Sequence, residues 1–203
     1  MAGAYARRML RDAAGRAQMG PAGPNTIAWR WLTLILEAGD LRQAWPLTAP
    51  DLRSTLARAW VEANQDHPGL VGRGSDELTQ ALAAVIPTDP LWPAFDETQL
   101  REFQEVWSWV DMSTYGAASD PRPAGPNEEG VAFVDTTAPG LVERPDGTLE
   151  VAGECDEPVP LPGKTLLMRY YEEPPDAGVA VKIGDVENGW RVAALRYNET
   201  ADG

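Results

Sequence analysis

Apolar residues recur every three to four positions through the first half of the chain, and then fall into short alternating or β-rich runs through the second. Between Thr26 and Ala38 the set is Ile27, Trp31, Leu34, Ile35 and Ala38, with Trp29, Leu32 and Leu36 filling most of the remaining circumference. That spacing predicts a heavily buried helix. Gly39-Asp40 predicts its end, because glycine accepts the left-handed conformation of a helix cap. Thr48-Ala49-Pro50-Asp51 predicts the next start: Thr48 caps, Asp51 takes the return role of a capping box, and Pro50 fits the first turn. Leu52, Leu56, Trp60 and Ala63 form the inner stripe of this second helix, and His67-Pro68-Gly69 stops it. A third helix is predicted from Ser75 to Ile86, with Asp76 and Glu77 favourably placed against its dipole, Leu78, Ala81, Leu82, Val85 and Ile86 inward, and Pro87 closing it. The fourth is predicted to begin at Asp96, with Gln99 as capping partner and Leu100, Phe103, Trp107 and Val110 on one face.

After Met112 the period changes. A Pro- and Gly-dense linker over Gly116 to Gly130 leads to predicted strands at 131–135, 140–144, 148–155, 164–173, 178–186 and 190–197. Pro145-Asp146-Gly147 suits a bulged turn and Asn188-Gly189 a two-residue hairpin, and connections this short require antiparallel pairing. Helices first and hairpins afterwards predict an α+β domain with helices covering the concave face of a curved antiparallel sheet. A hairpin at Asn188-Gly189 sets Ile183 opposite Ala194. One face then carries Val179, Val181, Ile183, Trp190, Val192 and Ala194, with Asp185 and Arg196 as polar exceptions. The other carries Ala180, Lys182, Val186, Arg191, Ala193, Leu195 and Tyr197.

Composition narrows the function classes. At 203 residues, 43% hydrophobic and 24% charged, the chain fits one globular domain, 25–203, preceded by an arm, 1–24. No stretch of 18 uncharged apolar residues predicts a membrane span, and the first 25 residues lack a signal-peptide core, so a cytoplasmic location is expected. Cys155 and His67 are the only residues of their kinds. Disulfides, cysteine-built zinc sites, CxxC redox chemistry and two-imidazole mechanisms therefore fall away, and neither metal nor cofactor is expected. The net charge is −14. Residues 1–24 are nevertheless basic, with Arg7, Arg8, Arg11 and Arg16 against Asp12, and their composition predicts a mobile arm whose Arg7, Arg8 and Arg11 meet an acidic partner. The acidic body repels a phosphate backbone, so nucleic acid is not an expected partner. Abundant Ala, Gly, Pro and Arg, with Lys164 and Lys182 as the only lysines, match the coding bias of a high-GC bacterial genome.

The long helix ending in Glu37-Ala38-Gly39-Asp40-Leu41, the Ala44-Trp45-Pro46-Leu47 segment, a second helix and a closing Asn188-Gly189-Trp190-Arg191-Val192 together resemble the NTF2-like (SnoaL-like, cystatin-like α+β) superfamily over residues 26–197. The resemblance implies a cone in which helices pack into a bent sheet and often leave a pocket at the open end. Trp31, Tyr170, Trp190 and Arg196 are the pocket candidates. Such a fold serves isomerases, dehydratases, cyclases and non-catalytic binding modules alike, so function must come from the site.

Catalytic relatives in that superfamily often use an Asp-His pair or a buried Asp. His67, at a helix end before two breakers, fits a capping role instead. Asp135 and Asp185, in apolar strands, are the alternative bases, with Tyr170 as a helper. Arg196 on a core face requires a carboxylate or a ligand anion. Trp29 and Trp31 diverge by about 200° on a helix, as do Trp107 and Trp109, so the eight tryptophans imply a second apolar surface. A non-catalytic interaction module is the expected role, with a cofactor-independent isomerase, dehydratase or cyclase as the alternative. A protein or a small apolar ligand is the expected partner, and a homodimer is expected through the face bearing Val186, Ala193, Leu195 and Tyr197 beside Lys182 and Arg191.

Overall fold

The computed structural model describes residues 23–120, 122, 124–137, 141–143, 149–151, 164–171 and 189–197. Residues 1–22, which contain Arg7, Arg8 and Arg11, lie outside them, as do the expected 178–186 strand with Lys182, Asp185 and Val186, and Asn188 of the expected turn.

The architecture is α+β. Helix α1 spans Pro24–Thr33 and continues into a π-helical stretch, Leu34–Ala38. Gly39 ends it at φ 61°, the left-handed cap its position predicts. Asp40 then caps the short α2, Leu41–Ala44, accepting from the Gln43 amide at 2.9 Å. A 3₁₀ turn, Trp45–Leu47, leads to α3, Pro50–Ala63. A second 3₁₀ turn, Pro68–Leu70, precedes α4, Ser75–Ala83, and the long α5 spans Trp92–Trp107. Strands β1 (Tyr115–Asp120), β2 (Glu128–Asp135), β5 (Lys164–Tyr170) and β6 (Trp190–Tyr197) form one sheet in the order β1-β2-β5-β6, antiparallel throughout. The short β3 (Leu141–Glu143) and β4 (Leu149–Val151) pair separately.

Several helix details differ from the sequence expectations. Thr48 does not cap α3. Its hydroxyl is fully buried, accepting from the Trp31 indole at 3.1 Å and facing the Ala44 carbonyl at 3.3 Å, and Ala49 holds the cap position. The inner stripe of α3 is turned by one residue, burying Arg53, Ala57, Trp60 and Val61 while Ala63 is exposed. Arg53 is tolerated there because its guanidinium donates to the Trp45 and Thr48 carbonyls at the end of the 3₁₀ turn. Helix α4 stops at Ala83, leaving Ile86 half exposed. Helix α5 begins a turn before Asp96, with Pro93 in its first turn, so Asp96 is an interior residue.

Helix α1 lies between the sheet and α5, and this accounts for the diverging tryptophans. Trp31 meets Phe103 of α5 edge-on, with centroids 5.1 Å apart, whereas Trp29 meets Phe133 of β2 at 6.1 Å. Trp107 also packs on Phe133, and Trp109 on Tyr115. The two apolar directions are the two flanks of an internal helix. The core-facing strand residues are Ala117, Val131, Phe133, Leu166, Met168 and Val192.

A bulge sets the parity of β6. Met168 pairs with Val192 but Leu167 pairs with Ala194, so one residue of β6 is extra at this point. Strict alternation places Arg196 on the core side and Leu195 outside. The bulge exchanges them: Leu195, opposite Leu166, packs against the core, and Arg196, opposite Thr165, faces the other way.

Candidate functional site

Asp120 closes β1 on the sheet face turned away from α1. Its side chain is fully buried, and that burial is possible because the opposite residue on β2 is Gly130. A Cβ at position 130 would stand 2.7 Å from the Asp120 Cβ and 3.1 Å from its Cγ, so only glycine lets the carboxylate lie across β2 toward β5. There Oδ2 receives the Thr165 hydroxyl at 3.1 Å. Arg122 folds back over the same carboxylate, donating from Nε at 3.0 and 2.9 Å to the two oxygens and from Nη2 at 2.6 Å to Oδ2, and it also donates to the Thr165 hydroxyl at 2.7 Å. The Arg196 guanidinium stands 3.9 Å from Oδ2. Burial pushes the carboxyl upward, but the hydrogen bonds and charge of Arg122 and the Thr165 hydroxyl outweigh it and hold Asp120 below the usual range.

The adjacent row is charged as well. Arg169 and Arg191 face each other across β5 and β6, an arrangement that costs energy unless carboxylates intervene. Glu128 and Asp51 supply them: Arg169 donates from Nε and Nη2 to Glu128 at 2.9 and 2.8 Å, and from Nη1 to Asp51 in the first turn of α3. These bonds hold the Arg169 guanidinium charged and tie α3 to the sheet. Arg169 sits on the face opposite Met168 and Tyr170, anchored there by these two carboxylates.

The residues nominated from sequence do not converge. Trp31 is wholly inside the helical core. Tyr170 and Trp190 meet at 5.3 Å with ring planes tilted by 58° on the helix side of the sheet, at its β5–β6 end, while Arg196 is on the other side with Asp120. Asp135 closes β2, where its Oδ1 accepts from the amide and hydroxyl of Thr137. Tyr170 is bonded to Asn127 just before the start of that strand, so Asp135 and Tyr170 are about 26 Å apart along β2, at roughly 3.3 Å per residue. His67 accepts from the Gly69 amide through Nδ1 and caps the Pro68–Leu70 turn. Of the expected pairing face, Arg191 and Ala193 are buried within a single chain and Leu195 belongs to the core side. The bulge carries Leu195 to the core side, where it is partly buried.

The second polar cluster, missed by the sequence reading, lies on α5. Asp96 is half-buried and its carboxyl is raised above the ordinary range by burial and by the nearby Asp40, with Arg42 opposing. The Arg42 guanidinium stands 5.8 Å from the Trp92 ring centroid. Among the described residues no helix is long and apolar enough to cross a membrane. No protein-family model, curated protein or solved structure matches the chain.

Gly130→Ala tests the Asp120 arrangement directly. The clash is with strand-anchored atoms rather than a flexible tip, so a loss of about 1–3 kcal/mol is expected, read as a lowered urea midpoint at unchanged slope.

Proposed function

We propose that this chain is a non-catalytic interaction module of NTF2-like type. One observation carries the reading: the buried sheet carboxylate, Asp120, is consumed by Arg122, Thr165 and Arg196 and held ionised, which suits a structural anchor and not a proton-transferring base. The order of elements supports the type, with a first helix ending at Gly39 in a left-handed cap, Asp40 behind it, and α1 laid across all four strands of an antiparallel sheet.

Native mass spectrometry of the protein purified from its own host, with light scattering in parallel, tests this role. A stoichiometric complex with another polypeptide or a second copy is the expected result. A monomer that consumes a co-purified small molecule, with turnover abolished by Asp135→Asn or Asp185→Asn in a folded protein, would overturn it.

A further inference from the structure

His67 supplies both acceptors of the 3₁₀ turn that joins α3 to α4. Pro68 has no amide proton, so Gly69 carries the first N–H of the turn. That N–H donates to the His67 ring at Nδ1, 3.1 Å away, and the Leu70 amide donates to the His67 carbonyl at 2.9 Å. The ring is held from two directions. It packs on Trp60 of α3, with centroids 6.1 Å apart, and Trp60 stands edge-on against Phe95 of α5. On its other side, a Cβ at position 69 would stand 2.5 Å from the Leu91 Cδ2 and 3.3 Å from His67 Nδ1, so the Gly69 backbone is in close contact with both. Further along, the Val71 amide reaches the Pro68 carbonyl only at 3.4 Å, the Arg73 amide donates to the Leu70 carbonyl at 3.1 Å, and the Arg73 guanidinium holds Asp89 at 2.6 Å. Leu70 is 7% exposed with the turn closed, whereas Val71 beside it is 77% exposed.

An imidazole nitrogen accepts a hydrogen bond only when it carries no proton. The Gly69 bond therefore requires the neutral ring with its hydrogen on Nε2. A second proton makes Nδ1 a donor that faces another donor, and the bond is lost. Histidine is the side chain that changes charge between about pH 5 and 8, and His67 is the only one in the chain. Charge around the ring comes from Asp66 beside it and Glu62 in the last turn of α3, and from Arg73, Asp89 and Glu77 across the connection. Arg73 engages Asp89 and stands 3.6 Å from Glu77. Asp66 and Glu62 are both exposed, and they give an imidazolium carboxylates to turn to outside the loop.

We infer that His67 is a proton-operated latch on the α3–α4 connection: the neutral ring keeps the Pro68–Leu70 turn closed, and protonation at Nδ1 opens it and unseats Leu70 beside the exposed Val71. The latch belongs to the connection itself and stands apart from the interaction role; failure of one leaves the other intact.

Heteronuclear NMR of the full chain from about pH 8 to 5.5, where carboxylates as a class stay ionised, tests it. At the upper end the ring signals are expected to be those of the Nε2–H tautomer, and the Gly69 and Leu70 amides are expected to shift with the ring through one common midpoint. Hydrogen exchange at Leu70, corrected for its intrinsic rate, is expected to rise about fivefold on acidification, the equilibrium equivalent of one ordinary hydrogen bond. His67→Asn keeps a side-chain acceptor that does not titrate, so its corrected exchange should be flat with pH, whereas His67→Ala should exchange faster at both ends. An Nδ1–H tautomer at the upper end overturns the inference. So do Gly69 and Leu70 amides that ignore the ring titration, or a pH response that persists in His67→Asn.

Discussion

Asp120→Ala is expected to destabilise the protein by about 3 kcal/mol, the low end of what removing one partner from a buried ion pair costs. The low end applies because Arg122 and Arg196 retain about a quarter of their side-chain exposure, so solvent screens part of the loss. In a chain of this length that corresponds to a Tm roughly 6–12 °C lower. The acid limb gives a second signature. A carboxylate depressed in the fold stabilises it above the usual carboxyl range, and that contribution is lost as pH falls through the depressed native value. The gap between wild type and Asp120→Asn should therefore be widest at neutral pH and shrink below about pH 4, measured by denaturant titration at each pH. A gap independent of pH would show that shape, and not charge, sustains the cluster.

Trp31→Ala should cost more, about 4 kcal/mol. Trp31 is fully buried, packs edge-on against Phe103 and donates its indole proton to Thr48, and truncating a core tryptophan leaves a cavity that neighbours refill only in part. Trp31→Phe should cost about 1–2 kcal/mol by removing the donor beneath Thr48 while preserving most of the ring volume. A residue lining an open ligand pocket would behave differently, tolerating truncation with little change in Tm. Thermal unfolding of the two variants separates the alternatives.

The helical half is legible because α1, α3 and α5 bury long side chains at helical spacing, and Gly39 ends α1 as glycine must at a positive φ. Strand β1 is not legible. Tyr-Gly-Ala-Ala-Ser-Asp has no β-branched residue, and its small side chains suit a close-packed strand as well as a loop. Asp120 and its partner Gly130 disappeared into a presumed linker for that reason. Arg196 invited the right chemical question, an internal carboxylate, but the bulge in β6 carried it to the other face. No turn residue at Val192 or Ala193 announces that bulge. Thr48 shows a further limit: a threonine before Ala-Pro-Asp carries a capping signature, and only the packing reveals that a tryptophan seventeen residues earlier needs its oxygen.

The contact between Thr48 and β6 bears on how the chain assembles. Thr48 bridges Val192 in parallel, and the Ala49 amide donates to the Val192 carbonyl at 2.8 Å. This joins the segment between the 3₁₀ turn and α3 to the last strand of the sheet. During synthesis the helical layer leaves the ribosome well before β6, so α1 and Trp31 wait beside an unfinished platform. Closing so long a loop is slow relative to local helix formation. Emergence of β6 is thus the step that commits the core, and a nascent chain stalled before Trp190 should remain protease-sensitive through α1 even though every described helix has already been made.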